Sequence, residues 1–144
     1  MKFPFHLLLS LIALGACGEN LPHTLITIAD ARVHPAQTTD LDPAGDSVGD
    51  ILTFDQPLLD EHMNRIGNNS GFCIRTDVAH RYQCQWTLTL ANGSIQVAGR
   101  EFDQGMSRLA IVGGTGEYSG IQGEMMSTNN NDGTFTQILH YQVK

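Results

Sequence analysis

At 144 residues, the chain has room for one domain built around one core. A formal charge of −7, with eight Lys and Arg residues that form no cluster, argues against nucleic acid or an anionic bilayer surface as partner. Charged residues are only 16% of the total, below the usual quarter or so, as expected of an apolar leader followed by strands and turns.

The first element is a leader. Lys2 precedes an apolar run from Leu7 to Ala16, which is too short for a bilayer span of about 20 residues. It ends in Leu14-Gly-Ala-Cys17, which resembles a bacterial lipobox, so residues 1–16 are expected to be an export signal with Cys17 taking the lipid. An ordinary secretory peptide with a cysteine beside its cleavage site is the alternative. The expected location is therefore the periplasm or cell envelope as a lipoprotein, or else the exterior as a secreted protein. Membrane contact would come only through the anchor, and residues 24–144 would form the folded domain.

From there the chain reads as strands separated by turn signals, with no apolar stripe of helical period. Thr24–His34 is β-rich. A loop from Pro35 to Gly45 leads to a second strand at Val48–Phe54, and Asp60–Ile66 forms one helical turn or none. Gly71–Thr76 and Arg81–Trp86 make a hairpin around Asp77–His80. If Thr76 faces Arg81, Arg75 pairs with Tyr82 and Cys73 lies opposite Cys84, close enough for a disulfide. Two buried thiols remain the alternative, although export favours the bridge. The fourth strand alternates most regularly, with Tyr82, Cys84, Trp86, Leu88 and Leu90 on one face. Parity alone does not say whether that face lines a cavity or covers an outer contact.

Asn92-Gly93 supplies a tight turn into Ser94–Phe102, followed by runs at Arg108–Val112, Glu117–Met126 and Thr134–Val143. Eight strands at meander spacing, with Gly116, Gly120 and Gly123 placed to bend the last ones, predict a closed eight-stranded antiparallel β-barrel. A β-sandwich is the competing all-β architecture.

Four segments in order resemble the dirigent and allene oxide cyclase superfamily. They are Gly49-Asp-Ile-Leu-Thr-Phe54, Phe54-Asp-Gln-Pro-Leu58, Ile66-Gly67 through Gly71-Phe-Cys73, and Ala110-Ile-Val-Gly-Gly-Thr-Gly116 through Gly123. The resemblance implies a barrel, commonly trimeric, with an apolar cavity that guides cyclisation or stereoselective coupling of a hydrophobic or aromatic small molecule, without a cofactor. It places Asp55 at the first aspartate of the dirigent acid pair, with Gln56 replacing the second. Gln56 also stands at the cyclases' cavity asparagine, and Cys73 at their cysteine. Thr27 and Ala29 occupy the positions of the cyclases' first-strand glutamate and asparagine.

The candidate site follows. Asp55 would be a general acid at the barrel mouth; otherwise it is a turn residue setting up Pro57. Arg100 and Glu101 point to opposite faces, and the inward one needs a partner. Arg100 is the candidate, because an inward guanidinium would steady an enolate or phenolate; a surface or trimer-contact salt bridge is the alternative. Gln56 would anchor a polar group, Cys73 would form cavity wall or bridge, and Tyr118 would line the cavity. The six histidines and three cysteines show no metal-ligand spacing, and Gly113-Gly-Thr-Gly116 lacks the lysine and the following helix of a phosphate loop. A non-catalytic carrier or structural cell-envelope barrel is the alternative function.

Overall fold

A computed structural model describes residues 22–144; the leader, the lipobox and Cys17 lie outside the described residues. The strands are β1 (His23–Asp30), β2 (Gln37–Thr39), β3 (Ile51–Leu59), β4 (Arg65–Asp77), β5 (Arg81–Leu90), β6 (Gly93–Phe102), β7 (Met106–Gly116), β8 (Ile121–Asn129) and β9 (Thr134–Val143). All neighbours are antiparallel. From β3 to β9 each strand pairs with the next, β9 pairs with β1, and β1 closes the ring onto β3 through Ile28–Leu59 and Ala29–Leu58. Eight strands thus form a closed barrel, as the meander spacing predicts.

The ninth strand is an addition. β2 comes from the expected loop and pairs with only Ile51–Thr53 of β3. Between that contact and the β1 contact at Leu58–Leu59, one edge of β3 has no strand neighbour among the described residues. Pro57 lies in this gap, where its missing N–H costs no ladder bond. The second strand therefore runs on to Leu59 rather than stopping at Phe54. Asp60–Asn64 forms no helix: the Asp60 carboxylate accepts bonds from the backbone N–H groups of His62 and Asn64, giving a tight turn.

The cysteine hairpin has the expected register. Cys73 faces Cys84, to which it is disulfide-bonded, and Arg75 faces Tyr82. Near the turn a bulge makes Asp77 rather than Thr76 the partner of Arg81. Ala91 and Asn92 form the next turn, and Gly93 already pairs with Leu90. Glu117–Gly120 is likewise a turn, so β8 starts four residues later than expected.

The core is the inward face of the ring. Leu58, Leu88, Ile95, Met125 and Leu139 are completely buried and fill one end. Two glycines shape the wall. At Gly123, φ is +154° and a Cβ would lie 2.1 Å from the His140 carbonyl oxygen, so the chain bends there as only glycine permits. At Gly71 a Cβ would lie 2.3 Å from the Trp86 Cβ, so this glycine lets the two strands close around the indole. Gly71→Ala is expected to destabilise the protein by about 1–3 kcal/mol through overpacking, seen as a lower urea midpoint. An unchanged midpoint would contradict the close approach.

Candidate functional site

The filled end lies toward the starts of β1, β4, β6 and β8. Toward the opposite end the inward side chains no longer fill the ring, and a cavity of about 210 Å³ opens. Its walls include Leu52 and Phe54 of β3, Tyr82 and Trp86 of β5, and Phe135 of β9. The Phe54 and Trp86 rings meet edge to face at 6.0 Å. The fourth strand's Tyr82–Trp86 face therefore points inward. Ala31 and Ala36, from the segment joining β1 to β2, also line the cavity, beside the stretch where β3 lacks a neighbour.

Deeper in the cavity lies a small polar network. The Thr27 hydroxyl donates to the Gln137 carbonyl oxygen at 2.9 Å, and the Gln137 amide nitrogen donates to the Asn69 carbonyl oxygen at 3.3 Å. Gln56, buried and directly opposite Asn69, lines the same cavity. These pairings satisfy much of the polar surface that burial would otherwise penalise.

The acidic group of the cavity is Glu101. It shares a face of β6 with Ile95 and Val97 and lies opposite Tyr82. One carboxyl oxygen accepts from the Ser127 hydroxyl at 3.2 Å; the other is buried with no partner. Burial raises its pKa to about 7, and the nearby Asp103 carboxylate adds to the shift, while the Ser107 and Ser127 hydroxyls act against it. Asp103 also lines the cavity. One of its oxygens bonds to Nδ1 of His80 at 2.9 Å, whereas the other is buried and without a partner. The Trp86 indole N–H is a third buried polar group lacking a partner, although Trp86 is only 4% exposed.

At the rim, Arg75 is buried against the Tyr82 ring, 4.8 Å from its centroid. Its guanidinium lies 2.8 Å from the Asp46 carboxylate and 3.6 Å from that of Asp50. Asp50 accepts bonds from the backbone N–H groups of Ser47 and Leu41, which hold its pKa below the ordinary carboxylate value. The Gly49-Asp50 motif thus fastens the loop before β3 and braces Tyr82 from behind.

The structure brings Gln56 and Cys73 together at this cavity, Cys73 through its disulfide. It places the other candidates elsewhere. Asp55 is exposed on the outer face, accepting a bond from the Asn68 amide and bordering a shallow groove with His34. Strand parity puts Leu52, Phe54 and Gln56 inward and leaves Asp55 outside. Arg100 is exposed opposite Gln83, because its neighbour Glu101 takes the inward position. Tyr118 lies in the turn between β7 and β8 at the filled end, its ring 6.3 Å from Tyr141. Among the described residues, no group of three metal-ligating side chains occurs.

The family model for dirigent-like proteins matches residues 22–144, and the chain belongs to that family. No curated protein matches in sequence. Among solved structures, the chain is similar to a pyocyanin demethylase, with a TM-score of 0.72 and 23% identity over 85% of this chain and 100% of the other. It is similar to the pterocarpan synthase dirigent protein GePTS1, with a TM-score of 0.69 and 15% identity over 97% and 99% of the two chains. The Diels–Alderase AbmU from Streptomyces koyangensis gives 0.69 and 18% identity over 85% of this chain and 64% of that one. At these identities the likeness is one of fold.

Proposed function

We propose that this dirigent-like protein is an exported barrel that binds an apolar or aromatic small molecule and guides its cyclisation or stereoselective coupling. The observation that carries the reading is Glu101, a carboxyl set in an aromatic-walled cavity with a pKa of about 7. A group that titrates near neutrality is suited to exchange a proton with a guest, as general acid–base catalysis requires. A cyclisation is an isomerisation and needs no co-reactant. The walls restrict the guest's conformers and exclude water, while Glu101 protonates or deprotonates the reacting atom. Gln56 and the Trp86 N–H supply hydrogen bonds that fix its orientation.

The names of the fold neighbours, a demethylase, a pterocarpan synthase and a Diels–Alderase, support chemistry on small organic molecules in barrels of this kind. Export is supported by the Cys73–Cys84 disulfide, which persists in oxidising compartments. Phe72 and Ile74, exposed on the outer face of β4, suit the contact between copies that a homotrimer needs.

Native mass spectrometry of protein purified from its own host tests the reading. A retained small molecule that wild type converts and Glu101→Gln does not would support it. Protein carrying no guest would count against binding; a guest that is retained but never converted would make the barrel a carrier.

A further inference from the structure

We propose that the preferred guest is a planar organic cation, held between the aromatic walls and the carboxylates of Glu101 and Asp103. The inference rests on the cavity being a binding site, and it adds the sign of the guest's charge. Three observations lead there.

The first is the balance of charge. Glu101 and Asp103 both line the cavity, and among the described residues no Lys, Arg or His lines it. Arg75 sits behind the Tyr82 ring outside the cavity lining; Asp46 and Asp50 face its charge, although its Nε and Nη1 find no hydrogen-bond acceptor among the described residues. His80 reaches only the outer side of Asp103. An anionic guest would meet two acids with no counter-charge beside them.

The second is that each acid holds one oxygen that is already out of water's reach and without a hydrogen-bond partner among the described residues. A neutral apolar guest leaves that cost of burial uncompensated. A cation supplies the missing charge. The third is the wall. Phe54, Tyr82, Trp86 and Phe135 present aromatic surface, and the faces of such rings attract cations, most strongly when water is excluded. The unpartnered Trp86 N–H, on a residue that is 96% buried, adds a demand for an acceptor atom on the guest.

Proton linkage follows from the same geometry. Glu101 is faced by Tyr82 from β5, by Ser107 and Ser127 from β7 and β8, and by Asp103 beyond the end of its own strand. Arg75 lies behind Tyr82, and His80 behind Asp103. None of these neighbours places a basic group directly on Glu101, so a bound cation favours the ionised carboxylate and expels its proton. With a pKa of about 7, the ionised fraction rises about tenfold from pH 6 to pH 8, and apparent affinity rises with it.

Isothermal titration of the intact protein with 1-methylquinolinium, its neutral isostere 1-methylnaphthalene, and 1-naphthoate tests the proposal. The cation is expected to bind at least about tenfold more tightly than the neutral ring, and the anion not at all. Cation affinity is expected to rise about tenfold between pH 6 and pH 8 in wild type and to be flat with pH in E101Q. D103N, which keeps Glu101, is expected to weaken the preference for the cation and to retain the pH dependence. Equal binding of the two isosteres, or tighter binding of the anion, overturns the cation proposal and leaves the cavity as a binding site. If none of the three binds, both readings fall.

Discussion

At pH 8 the Glu101→Gln variant is expected to be more stable than the parent by about 2–3 kcal/mol, and the difference to vanish near pH 4.5. The sign comes from the direction of the shift. Glu101 titrates near 7 in the fold but at about 4.5 in the unfolded chain. Between those values the folded state holds a proton that the unfolded state has released, so stability falls as pH rises and the loss is complete above 7. Glutamine is an uncharged isostere and escapes that loss. Thermal melts at pH 4.5, 6 and 8 measure it; the expected gap at pH 8 is roughly 10 °C. Parallel curves for the two proteins would place Glu101 in water rather than in the cavity. Because the Glu101 carboxyl on the cavity wall titrates near neutral pH, the same variant is expected to convert the natural guest about 100- to 10,000-fold more slowly. A residue that destabilises the fold at working pH while serving the proposed chemistry would fit the common conflict between stability and activity.

Much of the barrel is legible in the sequence because its strands alternate. The face bearing Tyr82, Cys84, Trp86 and Leu88 and the opposition of Cys73 to Cys84 follow from period-two spacing and one short hairpin. The site is less legible. Parity separates the two faces of a strand but does not label the inner one, and the family resemblance points to Asp55, which this strand turns outward. The sequence nevertheless carries a signal for Glu101. Ile95 and Val97 share its face of β6, so the apolar side of that strand carries the acid inward and leaves Arg100 with Gln96 and Ala98 on the other side. Asp103 and His80 lie beyond the strand ends, where alternation gives no guidance. The meeting of β1 with β3, which closes the ring, involves residues about thirty apart and has no local mark; only the glycine bends hint at it.

Removing the disulfide is expected to cost about 3 kcal/mol, the loop-closure contribution for cysteines separated by 11 residues. Cys73→Ala with Cys84→Ala should therefore lower the melting temperature by roughly 10 °C without abolishing the fold. Survival is expected because β4 and β5 remain paired from Gly67–Leu90 to Arg75–Tyr82, and neither cysteine sets that register alone. Reduction of the wild type separates two contributions: it releases the covalent constraint but keeps both sulfur atoms, whereas the double alanine variant also thins the cavity wall that Cys73 forms. The reduced protein should lose stability and keep most of its affinity for a guest; the double variant should lose both. Trp86 is the single tryptophan and lies on the same wall, so its fluorescence reports occupancy in each case. If reduction alone released the guest, the bridge would be holding the cavity's shape, and an oxidising compartment would be a condition of binding as well as of stability.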